Sequence, residues 1–151
     1  MIIHKKLKTN KAFTLVEILV VLTIIAILLG IVLVALGGAR QDARDTKRKA
    51  DLEIIRAGLE LYKSDCGSYP PGPLTAGSSL AGDNTSAGCL DSNEYISSVP
   101  TDPISTQYYQ YFREVGNLTY QLGAGLEGGA SCSLGCMDCG SAYCNYIVKN
   151  P

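Results

Sequence analysis

Apolar residues dominate one unbroken stretch near the start of the chain. Between Ile18 and Leu36 no residue is charged, and Thr23 is the only polar side chain. Counted from Phe13, the stretch has 24 residues, which as a helix is about 36 Å long and spans the hydrocarbon core of a bilayer. The apolar core of a cleaved secretory signal is only about 7–15 residues long. The pattern therefore predicts a membrane-spanning helix over residues 13–36.

The helical pattern continues past this stretch but changes character. Further along, apolar residues recur at helical spacing in two stripes, and charged residues fill the remaining arc. One stripe consists of Ala50, Ile54, Ala57 and Leu61, and the other of Leu52, Ile55, Leu59 and Tyr62. Glycines at 37–38 weaken a helix without ending it. We expect one continuous helix over 13–63, with an amphipathic half over 37–64 whose wide apolar face packs against a sheet.

Residues 65–151 are expected to form a small globular domain. The turn-forming run at 65–71 ends the helix, because it combines glycine with two prolines. Residues 72–93 are rich in glycine, serine, alanine and asparagine and are typical of a surface loop. Glu94–Ile96 is expected as a single helical turn.

The last part of the chain has the pattern of antiparallel strands. Aromatic residues over 108–112 and alternation over 118–122 predict two strands joined by a hairpin loop at 114–117. A last short strand is expected within 143–148. The fold class is therefore α+β, with one long N-terminal helix packed on a small antiparallel β-sheet.

Charge is unevenly distributed along the chain. Residues 1–12 carry no acid and four lysines, so the rest is acidic although the formal net charge is only −1. The lysines are Lys5, Lys6, Lys8 and Lys11. A mildly acidic exterior does not favour DNA binding. Basic residues flank both ends of the apolar stretch and leave its orientation open, but the cysteine-rich remainder favours a single-pass protein with its N-terminus inside.

The junction between the basic segment and the apolar helix carries the most specific motif. It reads Lys-Ala-Phe-Thr-Leu-Val-Glu over residues 11–17, so a small residue, Ala12, precedes Phe13 at the helix start. Glu17 then places one carboxylate inside the apolar helix. Such an acid costs about 2.5–3.5 kcal/mol at mid-bilayer and less near the interface. We therefore expect Glu17 to find a cationic partner.

With this motif, and with the segments at 65–70, 99–103 and 120–129, the chain resembles type IV filament subunits. That family comprises type IV pilins and the major pseudopilins of type II secretion systems. The resemblance implies that prepilin peptidase cuts between Ala12 and Phe13 and that the new Phe13 amine is methylated. It also implies that Glu17 pairs with the Phe13 amine of a neighbouring subunit when the helices bundle into a filament.

The same resemblance implies the partners and the location of the protein. The partners are further copies of this chain, prepilin peptidase, an inner-membrane assembly platform with minor pilins or pseudopilins, and membrane lipid before assembly. The protein is expected in the cytoplasmic membrane first. After assembly it is expected in an extracellular pilus or a periplasmic pseudopilus.

Two residues depart from the family pattern. Ala12 stands where glycine usually precedes the cut, which predicts slower processing. Major pseudopilins often bind calcium through carboxylates in the loop after the last strands, and here Glu127 stands where aspartate is usual. Glu127 is therefore only a weak calcium candidate, and we expect no cofactor.

The altered calcium pattern and the cysteine-rich tail favour a type IV pilus-like filament as the function. The major pseudopilin of a type II secretion system, driving protein export, is the alternative. A signal-anchored extracellular binding domain that never polymerises is a second alternative. It would require Phe13 to remain uncut and Glu17 to be dispensable.

Six cysteines are an even number in a domain expected to be exported, which favours disulfides. Cys66 and Cys89 flank the surface loop and are expected to form one bridge. Pairing within the tail stays open among Cys132, Cys136, Cys139 and Cys144. A four-cysteine zinc or iron–sulfur site is the alternative. The tail has only one CxxC spacing, at 136–139, and not the usual pair of them.

No catalytic constellation is visible in the sequence. The only histidine, His4, lies in the segment expected to be removed, so no histidine base survives in the mature chain. The protein is therefore expected not to be an enzyme. A row of tyrosines is expected in the sheet and the core rather than on a binding surface. The row consists of Tyr108, Tyr109, Tyr111 and Tyr120.

Overall fold

A computed structural model describes residues 13–129 and 137–150, without the side chains of residues 34–36. One helix, α1, is followed along the chain by short antiparallel strands, which confirms the α+β fold class. The elements are α1 (Leu15–Cys66), β1 (Leu80–Ala81), β2 (Glu94–Ile96), β3 (Gln110–Arg113), β4 (Tyr120–Ala124) and β5 (Tyr146–Lys149). The chain divides into two compact units between Ala39 and Arg40.

The N-terminal unit contains the apolar part of α1. The large apolar side chains from Leu15 to Leu33 are all 45–81 % exposed in the single chain. The most apolar window of α1 has a mean hydropathy of 3.4, and none of it is buried. By length and composition this segment can cross a membrane, as the sequence predicts.

The globular unit begins with the second half of α1, which uses only one of its two apolar stripes for packing. The stripe of Leu52, Ile55, Leu59 and Tyr62 is at most 2 % exposed. The other stripe is exposed, with Ile54 at 54 % and Leu61 at 59 %. The expectation that the whole wide apolar face is buried is therefore wrong. Successive helical residues differ in direction by about 100°. The core therefore covers only the stripe that faces it.

Three strands form the larger sheet in the order β3-β4-β5. Tyr111 pairs with Leu122, and Leu122 pairs with Val148, so three buried side chains lie in one row across the sheet. The hairpin between β3 and β4 lies at the predicted position. There the Glu114 N–H donates to the Thr119 carbonyl at 3.0 Å, and Asn117 has a φ of 61°.

Glu94–Ile96 is a strand and not the expected helical turn. It pairs antiparallel with Leu80–Ala81, a strand inside the segment expected as a plain loop. Ile96 is buried and approaches α1 at Gly58, where a Cβ atom would clash with its side chain. A three-residue strand of this kind depends on its partner and on this close approach, neither of which is local in sequence.

The tyrosine row is divided between the core and the surface. Tyr111 and Tyr120 are buried, and the Tyr69 and Tyr120 rings meet edge to face at 4.6 Å. Tyr109 is half-buried and its hydroxyl donates to Asp51 at 2.7 Å. Tyr108 remains 42 % exposed. The expectation of sheet and core positions is therefore confirmed for most of the row.

Candidate functional site

Glu17 lies in the first turn of α1 and folds back onto the start of the helix. Its Oε2 atom accepts the N–H and the hydroxyl of Thr14, each at 3.1 Å. In return the Glu17 N–H donates to Thr14 Oγ1 at 3.2 Å. This reciprocal arrangement is a capping box, which provides partners for amide groups that a helix start leaves unpaired.

The sequence itself carries the signal for this capping box, although the capping box was not among the predicted features. A threonine followed three residues later by glutamate, just before an apolar run, is its signature. Glu17 is therefore partnered within the single chain, before any assembly. Among the residues that the structure describes, the hydrogen bonds of this carboxylate all use Oε2. Oε1 can therefore accept a hydrogen from a second donor.

Phe13 precedes the helix and is 80 % exposed. Ala12, on the other side of the expected cleavage bond, lies outside the described residues. Cleavage after Ala12, methylation of Phe13 and assembly through Glu17 stay predictions.

A second cluster of charged residues surrounds the loop after β4. Glu127, the weak calcium candidate, is held by two arginines of α1. Arg44 forms a bidentate pair with it, with Nε at 2.6 Å from Oε1 and Nη2 on Oε2. Nη1 of Arg48 is 3.0 Å from Oε1. Both oxygens of Glu127 therefore already accept hydrogen bonds from cations.

Arg48 is the centre of this cluster, and its side chain is 0 % exposed. Its Nε and Nη2 atoms form a fork on the carboxylate of Asp102, at 2.8 Å and 3.1 Å. Its Nη1 atom lies 2.7 Å from Oδ1 of Asp45. Asp102 raises the pKa of Arg48 further above its ordinary value, so the guanidinium stays charged at any physiological pH.

Asp45 also binds the backbone of the loop after β4. Its two oxygens accept the N–H groups of Glu127 and Gly128, each at 2.9 Å. Burial raises the pKa of Asp45, but the amides of Gly128 and Glu127 and the Arg48 guanidinium outweigh this, so the pKa is lowered overall. The hydrogen bonds from Arg44 lower the pKa of Glu127 to about 2. Both carboxylates are therefore ionised near neutral pH.

These residues do not fit a calcium ion. Calcium takes 6–8 oxygen ligands at 2.3–2.6 Å. Here the space between the carboxylates holds the Arg48 guanidinium, within 3.0 Å of Asp45 and Glu127. A divalent cation at that position would meet a buried positive charge. The arginines that exclude calcium are 79–83 residues from Glu127 in sequence. No local sequence pattern could therefore predict their contacts with Glu127.

The expected bridge between Cys66 and Cys89 is confirmed, with the two Cα atoms 4.6 Å apart. A second disulfide joins Cys139 and Cys144 in the tail, with a Cα–Cα distance of 5.3 Å. That bond is not compatible with a four-cysteine metal site. Cys132 and Cys136 lie outside the described residues.

Comparison with known protein families gives two matches. Residues 7–33 match the prokaryotic N-terminal methylation motif. Residues 35–130 match the model described as "Type II secretion system (T2SS), protein G". No solved structure matches the chain.

Several curated relatives carry the name "Type II secretion system core protein G". The protein from Pseudomonas aeruginosa is 33 % identical over 129 residues, which cover 82 % of this chain and 90 % of the relative. The protein from Vibrio cholerae is 32 % identical over 131 residues, covering 83 % of this chain and 88 % of the relative. The protein from Klebsiella pneumoniae is 31 % identical over 104 residues, covering 68 % and 74 %.

Proposed function

The chain belongs to the type II secretion system protein G family, and from this membership we propose that it is the major pseudopilin of a type II secretion system. The observation that carries the proposal is the protein G match over residues 35–130. The methylation motif at 7–33 predicts processing for a pilus and a pseudopilus alike. The body of the chain therefore favours the major pseudopilin, which the sequence offered as the alternative, over a type IV pilus subunit.

In this role the chain is a structural subunit that polymerises, and its chemistry is that of assembly. The subunit would enter the cytoplasmic membrane through residues 13–36, with the leader inside. Prepilin peptidase would then cut after Ala12 and methylate the Phe13 amine. The mature subunit would join a periplasmic filament built from copies of itself, together with the assembly platform and minor pseudopilins.

Glu17 would supply the ionic contact between neighbouring subunits. A carboxylate and an amine that are each costly in lipid compensate one another when they meet, so a misplaced subunit is penalised. The capping box supports this role, because it orients the carboxylate through Oε2 and leaves Oε1 for the Phe13 amine of a neighbour. Thr14 would then position the assembly residue.

The exposed apolar surface of α1 also supports polymerisation. Beyond the segment suited to lipid, the stripe of Ala50, Ile54, Ala57 and Leu61 lies outside the core of the single chain. Large apolar side chains that are left exposed together mark surfaces that bind a membrane or another protein. Copies of the same helix in a filament would cover both parts of this surface.

Deletion of the gene in the native host tests the proposal, with complementation by the wild-type gene as the control. We expect the export of secreted enzymes to stop at the periplasm, while surface pili remain. Loss of surface pili with normal export would instead identify a type IV pilus subunit. In the same strains, mass spectrometry should find a mature chain that begins at methylated Phe13. An intact N-terminus at Met1 together with normal export would identify an anchored domain that does not polymerise.

A further inference from the structure

Three carboxylates from three separate segments meet at one buried guanidinium. Asp45 lies one turn before Arg48 on α1, Asp102 lies between β2 and β3, and Glu127 follows β4. The side chain of Asp102 is 1 % exposed, and that of Asp45 is 11 % exposed. Arg48 therefore links α1 to two distant parts of the globular unit.

The match between donors and acceptors at this point is specific. The planar guanidinium holds its N–H donors in fixed directions. Nε and Nη2 together suit both oxygens of one carboxylate, and Nη1 can donate to two further oxygens. The Asp102 carboxylate takes the fork, and Asp45 and Glu127 share Nη1. Arg44 adds a second positive charge on the outer side of Glu127.

The family resemblance implies a calcium site in the loop that contains Glu127. In the structure this loop lies between β4 and β5, and it is the loop that this cluster holds. We propose that in this chain the Arg48 guanidinium is a built-in cation that takes the structural place of calcium. It gathers the carboxylates that would otherwise surround a metal, and Asp45 binds the loop backbone through the amides of Glu127 and Gly128. The globular unit therefore folds and stays folded without calcium. This inference concerns the subunit itself and does not depend on which filament it forms.

The first test uses the full chain purified in detergent micelles. The Tm of the globular unit is measured by near-ultraviolet circular dichroism, which reports its packed tyrosines, in excess EDTA and in millimolar calcium. We expect the same Tm in both conditions and no saturable heat when calcium is titrated in a calorimeter. A higher Tm with calcium, or saturable binding that Glu127→Gln removes, overturns the proposal.

The second test removes the guanidinium. Arg48→Met keeps an unbranched apolar stem but removes the guanidinium and leaves buried carboxylates without their cation, and we expect the Tm to fall by more than about 10 °C. Arg56→Met is the matched control on the same helix, because the pair of Arg56 with Glu53 is long, at 3.5 Å, and partly exposed. We expect its Tm to stay close to that of the wild type.

Arg48→Lys separates charge from geometry. Lysine keeps the positive charge but cannot form the fork on Asp102, so its Tm should lie between those of the wild type and Arg48→Met. If Arg48→Met is no less stable than Arg56→Met, the guanidinium does not hold this loop and the proposal fails. If Arg48→Met does not fold at all, the comparison of wild-type chain in EDTA and calcium still decides the question.

Discussion

The two units of the chain treat apolar and charged residues in opposite ways. In the N-terminal unit the large apolar side chains up to Leu33 are exposed in the single chain. In the globular unit Asp45, Arg48 and Asp51 are buried, with Arg48 at 0 % exposure. The exposed apolar residues are not covered within the described part of the single chain, whereas the partners of the buried charges lie within it. Assembly and stability should therefore respond to different substitutions.

The largest effect is expected at Glu17, where a substitution should stop assembly without unfolding the globular unit. Loss of the ionic partner leaves the charge of the Phe13 amine uncompensated. The free-energy cost is about 3–5 kcal/mol, which is enough to reduce filament formation by roughly a hundredfold or more. Filaments are counted by electron microscopy, and the Tm of the globular unit is measured in parallel. Glu17→Gln is the sharp variant, since glutamine still closes a capping box but carries no charge.

Glu17→Ala removes both the charge and the capping box and serves as the comparison. Equal loss of filaments in both variants supports the ionic role. If Glu17→Gln assembles normally and Glu17→Ala does not, the capping box alone matters for assembly.

Neighbouring positions on α1 allow the same comparison within the globular unit. Leu52 is 0 % exposed and Ile54 is 54 % exposed. Leu52→Ala should lower the free energy of unfolding by about 2–5 kcal/mol, because it leaves a cavity in the core. Ile54→Ala should change it by less than about 0.5 kcal/mol but should reduce the number of filaments.

Urea unfolding in micelles and filament counts measure the two effects. A fall in stability for Ile54→Ala equal to that for Leu52→Ala would show that the exposed stripe is part of the folded core. Normal filament numbers for Ile54→Ala would remove this stripe from the subunit interface.

The disulfides should stabilise the globular unit by amounts that depend on the loops they close. In the chain-entropy model the Cys66–Cys89 bond, with a sequence separation of 23, contributes about 3 kcal/mol. The Cys139–Cys144 bond, with a separation of 5, contributes about 2 kcal/mol. Double alanine variants of each pair, compared by urea unfolding, measure the difference. A larger loss at the tail bond than at the loop bond would contradict this ranking.

The smallest effect is expected from acid, because Glu127 and Arg44 are partly exposed and solvent screens their ion pair. The pKa of Glu127 is lowered from 4.5 to about 2 in the folded chain, so its stabilising effect is complete above about pH 5 and is lost as the pH falls towards 2. The free energy of unfolding should decrease over this range. Glu127→Gln should show a smaller decrease, and Glu53→Gln, from an exposed pair, should follow the wild type. Parallel curves for wild type and Glu127→Gln would contradict the prediction.

Features with a local signal were predicted from the sequence. The continuous apolar helix, the hairpin at 114–117 and the last strand follow from periodicity and turn residues, which neighbouring positions determine. The bridge of Cys66 and Cys89 followed from their positions on either side of one loop. The capping box of Thr14 and Glu17 was equally local, and it was overlooked because the acid was considered only as a charge in lipid.

Features that depend on distant contacts were not predicted. β2 pairs with a two-residue strand, and no short stretch of sequence distinguishes such a strand from a helical turn. The two apolar stripes of α1 look alike in sequence, and only the position of the sheet decides which one is buried. Arg48 contacts residues 54 and 79 positions away in sequence. Only the fold therefore shows that Glu127, the calcium candidate, is paired with arginines.

The contacts that hold α1 in the globular unit also prevent the helix from sliding along its axis. The helix is held near the start of this unit by the fork of Arg48 on Asp102, and at its last residue by the Cys66–Cys89 bond. Sliding by one helical turn, about 5.4 Å, would break the fork and require the covalent bond to stretch. Within the globular unit, the segment of α1 from Arg48 to Cys66 is therefore fixed to the loops that carry Asp102 and Cys89, and a load along the helix axis would move them together.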